Sequence, residues 1–197
     1  MMLDDGYHDV PAGKLAMVVT YLKMTTPAAL RGAVLPDGLS LEPLARDVET
    51  YLDVFRRVGQ DWLWFERLKT PAADLAALLH DPKVSIFTLM KNGQAEALLE
   101  LDFREHGVCE LAYFGLTPAL IGSGAGAYLM DRAIEAAWAA EIDEFQLHTC
   151  TLDSPQAMDF YIRSGFKPYK RKIEVSEDPR THGVYGIGVA PKVPHLK

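Results

Sequence analysis

The chain has 197 residues, 49% hydrophobic and 24% charged, with two cysteines and a formal net charge of −7. That length buries a hydrophobic core without disulfide or metal staples, and the acidic balance argues against general nucleic-acid binding. Cys109 and Cys150 form neither a CxxC nor a metal-ligand spacing, so reduced thiols and no metal site are expected. The amino-terminal MMLDDGYHDV has no signal-peptide apolar stretch, and no apolar run reaches the length of a membrane span. A cytoplasmic protein with neither a nucleic-acid nor a membrane partner is expected.

In chain order, KLAMVVTYLKM (14–24) is apolar and β-branched enough for a strand. The stretch after it carries Pro27, Gly32, Pro36 and Gly38 and reads as an irregular connection. Over residues 42–58, Leu44, Val48, Tyr51, Leu52, Phe55 and Val58 recur at helical spacing, and Gly59 is a natural stop. WLWFERL (62–68) fits either helix or loop. Thr70 and Pro71 predict the cap and first position of a short helix over AADLAALLH (72–80). VSIFTLMK (84–91) and QAEALLELDF (94–103) flank Asn92-Gly93, a strong hairpin signal. A turn over Arg104–Gly107 leads to a third strand, CELAYFGL (109–116). After IGSGAGAYLM (121–130) comes a helix with Leu129, Ala133, Ala136 and Ala140 on one face. EFQLHTC (144–150) is a strand, and SPQAMDFYIRSG (154–165) is a short helix ended by Gly165. FKPYKRKIEV (166–175) and GVYGIGV (183–189), joined by SEDPRTH, are predicted as a closing hairpin. This order predicts one α/β (α+β) domain over residues 1–197, with helices on the faces of a mixed sheet.

Glycine costs about 0.5–1 kcal/mol against alanine inside a helix, so Gly122, Gly124 and Gly126 need a purpose. A glycine-rich turn between strand and helix offers backbone N–H groups and the positive end of the helix dipole to an anion. A nucleoside-triphosphate loop requires GxxxxGK[ST], and no lysine follows here. A dinucleotide fingerprint requires GxGxxG in an early βαβ unit with an acid ending the next strand. Here the spacing is GxGxG, the unit is late, and the next strand ends in HTC. The pyrophosphate of coenzyme A is the third ligand; close helix–sheet packing is the structural alternative.

LTPALIGSGAGAYLM (116–130) resembles the acyl-CoA signature of GNAT-family N-acetyltransferases, Q/R-x-x-G-x-G/A at a helix start. Ile121, Gly124 and Gly126 take the matching positions, with Ile121 where the family has Arg or Gln. SPQAMDFYIRSGF (154–166) resembles the second signature, N-x-x-A-x-x-x-Y-x-x-x-G-F, through Ala157, Tyr161, Gly165 and Phe166, with Ser154 in place of Asn. ELAYFGL and HTCTLDSPQA are similar to a bacterial subgroup of the family. The resemblance implies a GNAT fold: a mostly antiparallel central sheet of about seven strands and about four helices. It also implies acetyl-CoA as co-substrate, transfer of acetyl to an amine of a small molecule or protein, and a homodimer as one expected assembly. A non-catalytic acyl-CoA-binding module and an acyltransferase for a longer acyl group are the alternatives.

The resemblance assigns the pyrophosphate to the turn formed by Ile121, Gly122, Ser123, Gly124, Ala125, Gly126 and Ala127. It assigns the pantetheine to the backbone of Phe114 and Leu116, as an added strand, with Ser154 on its arm and Tyr161 at the thioester. An alkyl ammonium, with a pKa near ~10, must lose a proton before it attacks, and the thiolate leaving group gains from receiving one. The resemblance makes Glu110, where family members that acetylate protein lysines carry a glutamate base, the candidate base, and Tyr161, near the thioester sulfur in the family, the candidate acid. Strand alternation puts Glu110, Ala112, Phe114 and Leu116 on one face, where a carboxylate's pKa is expected to rise. The competing readings are an exposed strand-end Glu110 and a Tyr161 that packs the helix onto the sheet. His148 is either a base or a satisfied strand histidine, and Cys150 as an acyl carrier is not required by direct transfer. Trp62, Trp64 and Phe65 either line an acceptor pocket or pack in the core. Glu100 and Asp102 share a strand face and either attract a cationic acceptor or, as expected by default, are simply solvated.

Overall fold

A computed structural model describes residues 4–196 of the protein. Met1–Leu3 of the amino-terminal stretch, and Lys197, lie outside the described residues. One sheet takes in β1 (Lys14–Met24), β2 (Leu39–Pro43), β3 (Val84–Lys91), β4 (Gln94–Ala95), β5 (Ala97–Asp102), β6 (Val108–Leu116), β7 (Glu144–Cys150) and β8 (Lys167–Glu177). Its order is β2-β3-β5-β6-β7-β1-β8, with β4 paired to β3. Every pairing is antiparallel except that of β6 with β7. The helices are α1 (Val48–Gly59), α2 (Glu66–Lys69), α3 (Ala72–His80), α4 (Ala125–Trp138) and α5 (Ala157–Arg163). The mixed, mostly antiparallel α/β architecture read from the sequence is the one observed.

Two layers cover the sheet. On one face Tyr51, Val54, Phe55 and Val58 of α1 join Leu75 and Leu79 of α3 over Ile86 and Leu98. On the other, Leu129, Met130, Ala133, Ile134 and Ala137 of α4 pack on Leu99, Leu101, Phe145 and Leu147. Tyr51, Phe55, Leu75 and Phe145 are fully buried, each contributing roughly 1.5–3 kcal/mol. A third cluster joins Leu15, Met17 and Val19 of β1 to Leu63, Tyr185 and Ala190.

Several local expectations are corrected. The helix expected from residue 42 begins at Val48, where the Asp47 carboxylate accepts from the Thr50 N–H at 2.8 Å. Leu39–Pro43 instead forms β2 against β3, and the Leu44 N–H donates to the Ile86 carbonyl at 3.0 Å. Leu44 keeps its core position without being helical, so its spacing matched the helix by coincidence. WLWFERL resolves into the end of a 3-10 turn (Gln60–Trp62), a left-handed Leu63 at φ +55°, and α2. Thr70 does not cap α3. Its hydroxyl donates to the Glu66 carbonyl at 2.9 Å and closes α2.

The return strand of the Asn92-Gly93 hairpin is broken at Glu96, whose buried carboxylate takes Arg57 at 3.1 Å and the Thr117 hydroxyl. Glu100 and Asp102 are not solvated. Glu100 is fully buried against the Tyr51 hydroxyl and Arg67, and Asp102 is held by Arg104 at 2.6 Å. The closing hairpin does not form. β8 pairs along β1, while GVYGIGV is drawn into turns around the buried Arg180. Arg180 is clamped by Asp178 and donates to the carbonyls of Val189 and Val193 at 3.2 and 2.9 Å.

Candidate active site

A single extra residue in β6 shapes the site. Leu111 pairs with Leu101 and Tyr113 with Glu100, so Ala112 is a bulge with no opposite number on β5. Such a bulge bends its strand and resets the alternation of faces. Leu111, Phe114 and Leu116 therefore face the α4 layer, whereas Glu110, Tyr113 and Gly115 face the α1 layer. The expected common face for Glu110, Phe114 and Leu116 is corrected by this shift.

The bulge coincides with a parting of strands. β6 and β7 pair only at Val108–Glu144, Cys109–Phe145 and Glu110–Gln146, although β7 stays paired to β1 as far as Cys150. Beyond Glu110 the β6 backbone on that side meets no backbone partner among the described residues. A cavity of about 460 Å³ fills the parting, lined by β6 from Leu111 to Leu116 and by His148, Cys150, Asp153 and Ser154.

The glycine turn forms the end of this cavity next to α4. Gly122 and Gly124 sit in the left-handed region at φ +81° and +87°. A Cβ at either would meet nothing within 4 Å, so conformation rather than packing requires glycine there. At Gly126 a Cβ would meet the Leu116 and Phe160 side chains only at ordinary contact distances of 3.6 and 4.0 Å. Gly124 is the N-cap residue of α4 and no side chain caps the helix. The N–H groups of Gly122, Gly124 and Gly126 have no acceptor among the described residues. Open donors at a helix start carry the positive end of the helix dipole.

Gly122, Gly124, Gly126, Ala127 and Ile121 all line the cavity; Ser123 and Ala125 do not. The Ser123 hydroxyl turns back to the Leu120 carbonyl at 2.7 Å, and Ala125 is buried in the α4 core.

Tyr161 and Ser154 line the cavity from the α5 side. The Tyr161 ring packs edge-on against Phe114, Phe160 and Phe166 at 6.3, 5.7 and 6.2 Å. Burial pushes its phenol above the ordinary tyrosine range, which keeps it protonated as a donor. Its hydroxyl has no partner among the described residues. Arg31, from the irregular segment, also lines the cavity and donates to the Ser164 hydroxyl at 2.6 Å and the Phe160 carbonyl at 3.3 Å. Buried Asp131 of α4 fixes that segment by accepting the Arg31 and Ala33 N–H groups at 3.1 and 3.0 Å. Neither Arg31 nor Asp131 was visible as a site residue in the sequence, since the segment has no regular pattern.

The other end is aromatic and acidic. Trp62, Trp64 and Phe65 line it together with Glu66 and Glu174. Trp64 does both things the sequence left open, packing on Phe55 and Tyr113 at 5.7 and 5.2 Å while facing the cavity. Its indole N–H donates to Asp153 at 3.1 Å, and the other Asp153 oxygen accepts from the Cys150 N–H at 2.8 Å. Glu110 is outside the cavity lining. It pairs instead with His148, which lines the cavity, Nδ1 to Oε1 being 3.6 Å. The Glu110 carboxylate raises the His148 pKa above its ordinary value. Burial pushes the Cys150 thiol up to about 12, so it is a poor source of thiolate.

The model of the Acetyltransferase (GNAT) family matches residues 49–166, more than half of the chain. The chain belongs to that family. Among solved structures it is similar to a GCN5-related N-acetyltransferase from Sphaerobacter thermophilus, with a TM-score of 0.64 and 16% identity over 87% of this chain and 53% of that one. It is also similar to a conserved protein of unknown function from Staphylococcus epidermidis, with a TM-score of 0.58 and 14% identity over 84% of this chain and 63% of that one. An aminoglycoside acetyltransferase from an uncultured soil sample matches with a TM-score of 0.54 and 16% identity, over 66% of this chain and 88% of that one. The chain thus spans less than two thirds of the first two of these structures. Among curated proteins nothing matches. The fold is the one these GNAT structures share. Among the described residues no helix is long and apolar enough to cross a membrane.

Proposed function

We propose that the protein transfers an acetyl group from acetyl-CoA to an amine, the donor entering from the glycine turn and the acceptor from the Trp62–Glu66 end. The observation that carries this reading is the coincidence of two open backbone surfaces in one cavity. The unpaired edge of β6 suits the amides of a pantetheine arm, and the free N–H groups of Gly122, Gly124 and Gly126 suit a pyrophosphate. Ser154 stands beside the same cleft, its hydroxyl oxygen accepting from the Gln156 N–H at 3.4 Å and its proton left to meet the arm. Ile121, 59% exposed, contributes backbone rather than a side-chain contact.

At the acceptor end Glu66 and Glu174 favour a cationic amine. His148, held by Glu110 through Nδ1, offers Nε2 to take the ammonium proton, directly or through water. Glu110 is then a positioning residue rather than the base itself. The neutral amine attacks the thioester carbonyl, the C–S bond breaks as the thiolate takes the Tyr161 proton, and the second nitrogen proton, lost as the amide forms, returns to the Tyr161 phenolate directly or through water. Tyr161 suits this role because its phenol stays protonated and faces the cleft.

The test is release of the coenzyme A thiol from acetyl-CoA across a panel of primary amines. Amine-dependent release with acetylated product supports the reading. Tight acetyl-CoA binding with no release for any amine would favour a non-catalytic acyl-CoA-binding module. Faster turnover with longer acyl donors would replace acetyl in the assignment.

A further inference from the structure

Lys167, Lys170, Arg171 and Lys172 fall close together on β8 in a chain of net charge −7, and the acetyl-transfer chemistry uses none of them. The sheet register shows where two of them lie. His148 on β7 pairs with Tyr21 on β1, and Tyr21 pairs with Lys170 on β8, so the three form one cross-strand row. Cys150, Val19 and Lys172 form the next row on the same face. His148, Cys150 and Val19 line the cavity, so each row leads from the cavity wall to a lysine.

Both lysines lean inward over β1, although both are exposed. Lys170 Nζ and Lys172 Nζ lie 5.4 and 5.2 Å from the centroid of the Tyr21 ring, which is itself 5.6 Å from that of His148. The ring face attracts each cation, but two like charges over one ring repel each other. Neither lysine has a carboxylate partner among the described residues. Lys14 and Lys23 of β1, by contrast, pair with Glu177 and Glu144 at 2.6 and 2.7 Å. Glu174 lies on the same face, about 7 Å along the strand from Lys172, and lines the cavity without closing onto either lysine. An unpaired acid beside two unpaired cations, at the edge of the acceptor end, suits a ligand that carries both charges. The donor's phosphates do not supply the anion, because the glycine turn that suits them is at the other end of the cavity.

We propose that the acceptor is an amine that also carries an anionic group, a carboxylate or a phosphate, which Lys170 and Lys172 hold while the amine faces His148 and Glu174. The inference rests on the acetyl-transfer reading and adds the substrate class to it: amino acids or aminoalkyl phosphates, rather than simple amines or diamines. Neighbouring strands are about 4.8 Å apart, so the backbones of His148 and Lys170 are about 10 Å apart across Tyr21. The inward lean of the lysines shortens that span, and roughly two to five carbons between amine and anion fit it.

The experiment measures coenzyme A thiol release with four series of matched chain length: ω-amino acids, aminoalkyl phosphates, n-alkylamines and α,ω-diamines. The best anionic amine is expected to exceed its uncharged counterpart about tenfold in kcat/KM, through a lower KM, as two exposed ion pairs would give. Whether the carboxylate or the phosphate series gains more identifies the anion. Lys170→Ala/Lys172→Ala is expected to bring the anionic-to-uncharged ratio to about one. Lys170→Glu/Lys172→Glu is expected to invert the preference toward diamines, with circular dichroism checking the fold of both variants. A wild-type enzyme that turns over alkylamines or diamines as well as anionic amines overturns this inference alone. So does a double alanine variant that keeps the preference. No release with any amine overturns the acetyl-transfer reading, and this inference with it.

Discussion

The pyrophosphate assignment rests on Gly124, and two substitutions there separate charge from backbone strain. Gly124 holds φ +87°, and a Cβ would meet nothing within 4 Å. Gly124→Ala therefore costs only the left-handed conformation, about 1–2 kcal/mol of fold stability, and leaves the amides of the turn in place. Gly124→Glu costs a similar amount and adds a carboxylate beside the same amides. A charge about 6 Å from one phosphate charge, at an effective dielectric of about 20, is repelled by about 3 kcal/mol. Solvent on the open side offsets part of the repulsion from the second phosphate. The net expectation is roughly 100-fold weaker coenzyme A binding for Gly124→Glu than for Gly124→Ala. Calorimetry on both variants measures it. Acetyl-pantetheine, which lacks the pyrophosphate, serves as the control ligand and is expected to bind both variants alike. Equal coenzyme A affinity for the two variants would refute the cradle and leave the glycines as turn formers only.

Three further outcomes are expected. Tyr161→Phe keeps the aromatic packing but removes the donor, so acetyl transfer should slow about 100-fold in kcat with little change in coenzyme A affinity measured by calorimetry. Glu110→Gln removes the carboxylate that raises the His148 pKa, so the acidic limb of the pH–rate profile should move to lower pH, and His148→Gln should abolish that limb. Arg67→Leu strips the fully buried Glu100 of its 2.6 Å cationic partner and should destabilise the fold by about 3–5 kcal/mol in urea titration. Arg67→Leu/Glu100→Leu should recover most of that loss, because it removes both buried charges.

Most of the sheet was legible because its strands are written in β-branched and apolar runs with sharp turns between them. Asn92-Gly93 and the glycine stretch before α4 are local signals, and both hold their place in the fold. What the sequence hid depends on distant partners. β2 is five residues with one Leu on either side of Ser40, and it exists because β3 offers an edge. Glu100 looked like a solvated carboxylate since nothing nearby in sequence announces Arg67 and Tyr51 as its partners. GVYGIGV looked like a strand, yet Arg180 collects carbonyls at its last residue and beyond it, and Tyr185 is tethered to the Trp64 carbonyl at 2.6 Å. The cavity lining at Arg31 and Asp153 was likewise invisible, because both depend on contacts between segments far apart in the chain.

The Ala112 bulge links the fold to the chemistry more tightly than any one polar residue. A regular β6 would keep Glu110 on the face of Phe114 and Leu116, among the residues of the α4 layer. With one extra residue, Glu110 turns to the α1 side, where it meets His148, two residues past its own β7 partner Gln146. The same residue bends β6 away while β7 stays paired to β1, so the cleft opens just past the Glu110–Gln146 rung, where His148 stands. Charge is then sorted along one cavity. Arg31, Arg163 and the free glycine amides gather at the α4–α5 end, and Glu66 and Glu174 at the aromatic end. On the proposed reading, an anionic donor and a cationic acceptor would be drawn to opposite ends. The reactive order of groups thus follows from where two strands stop pairing.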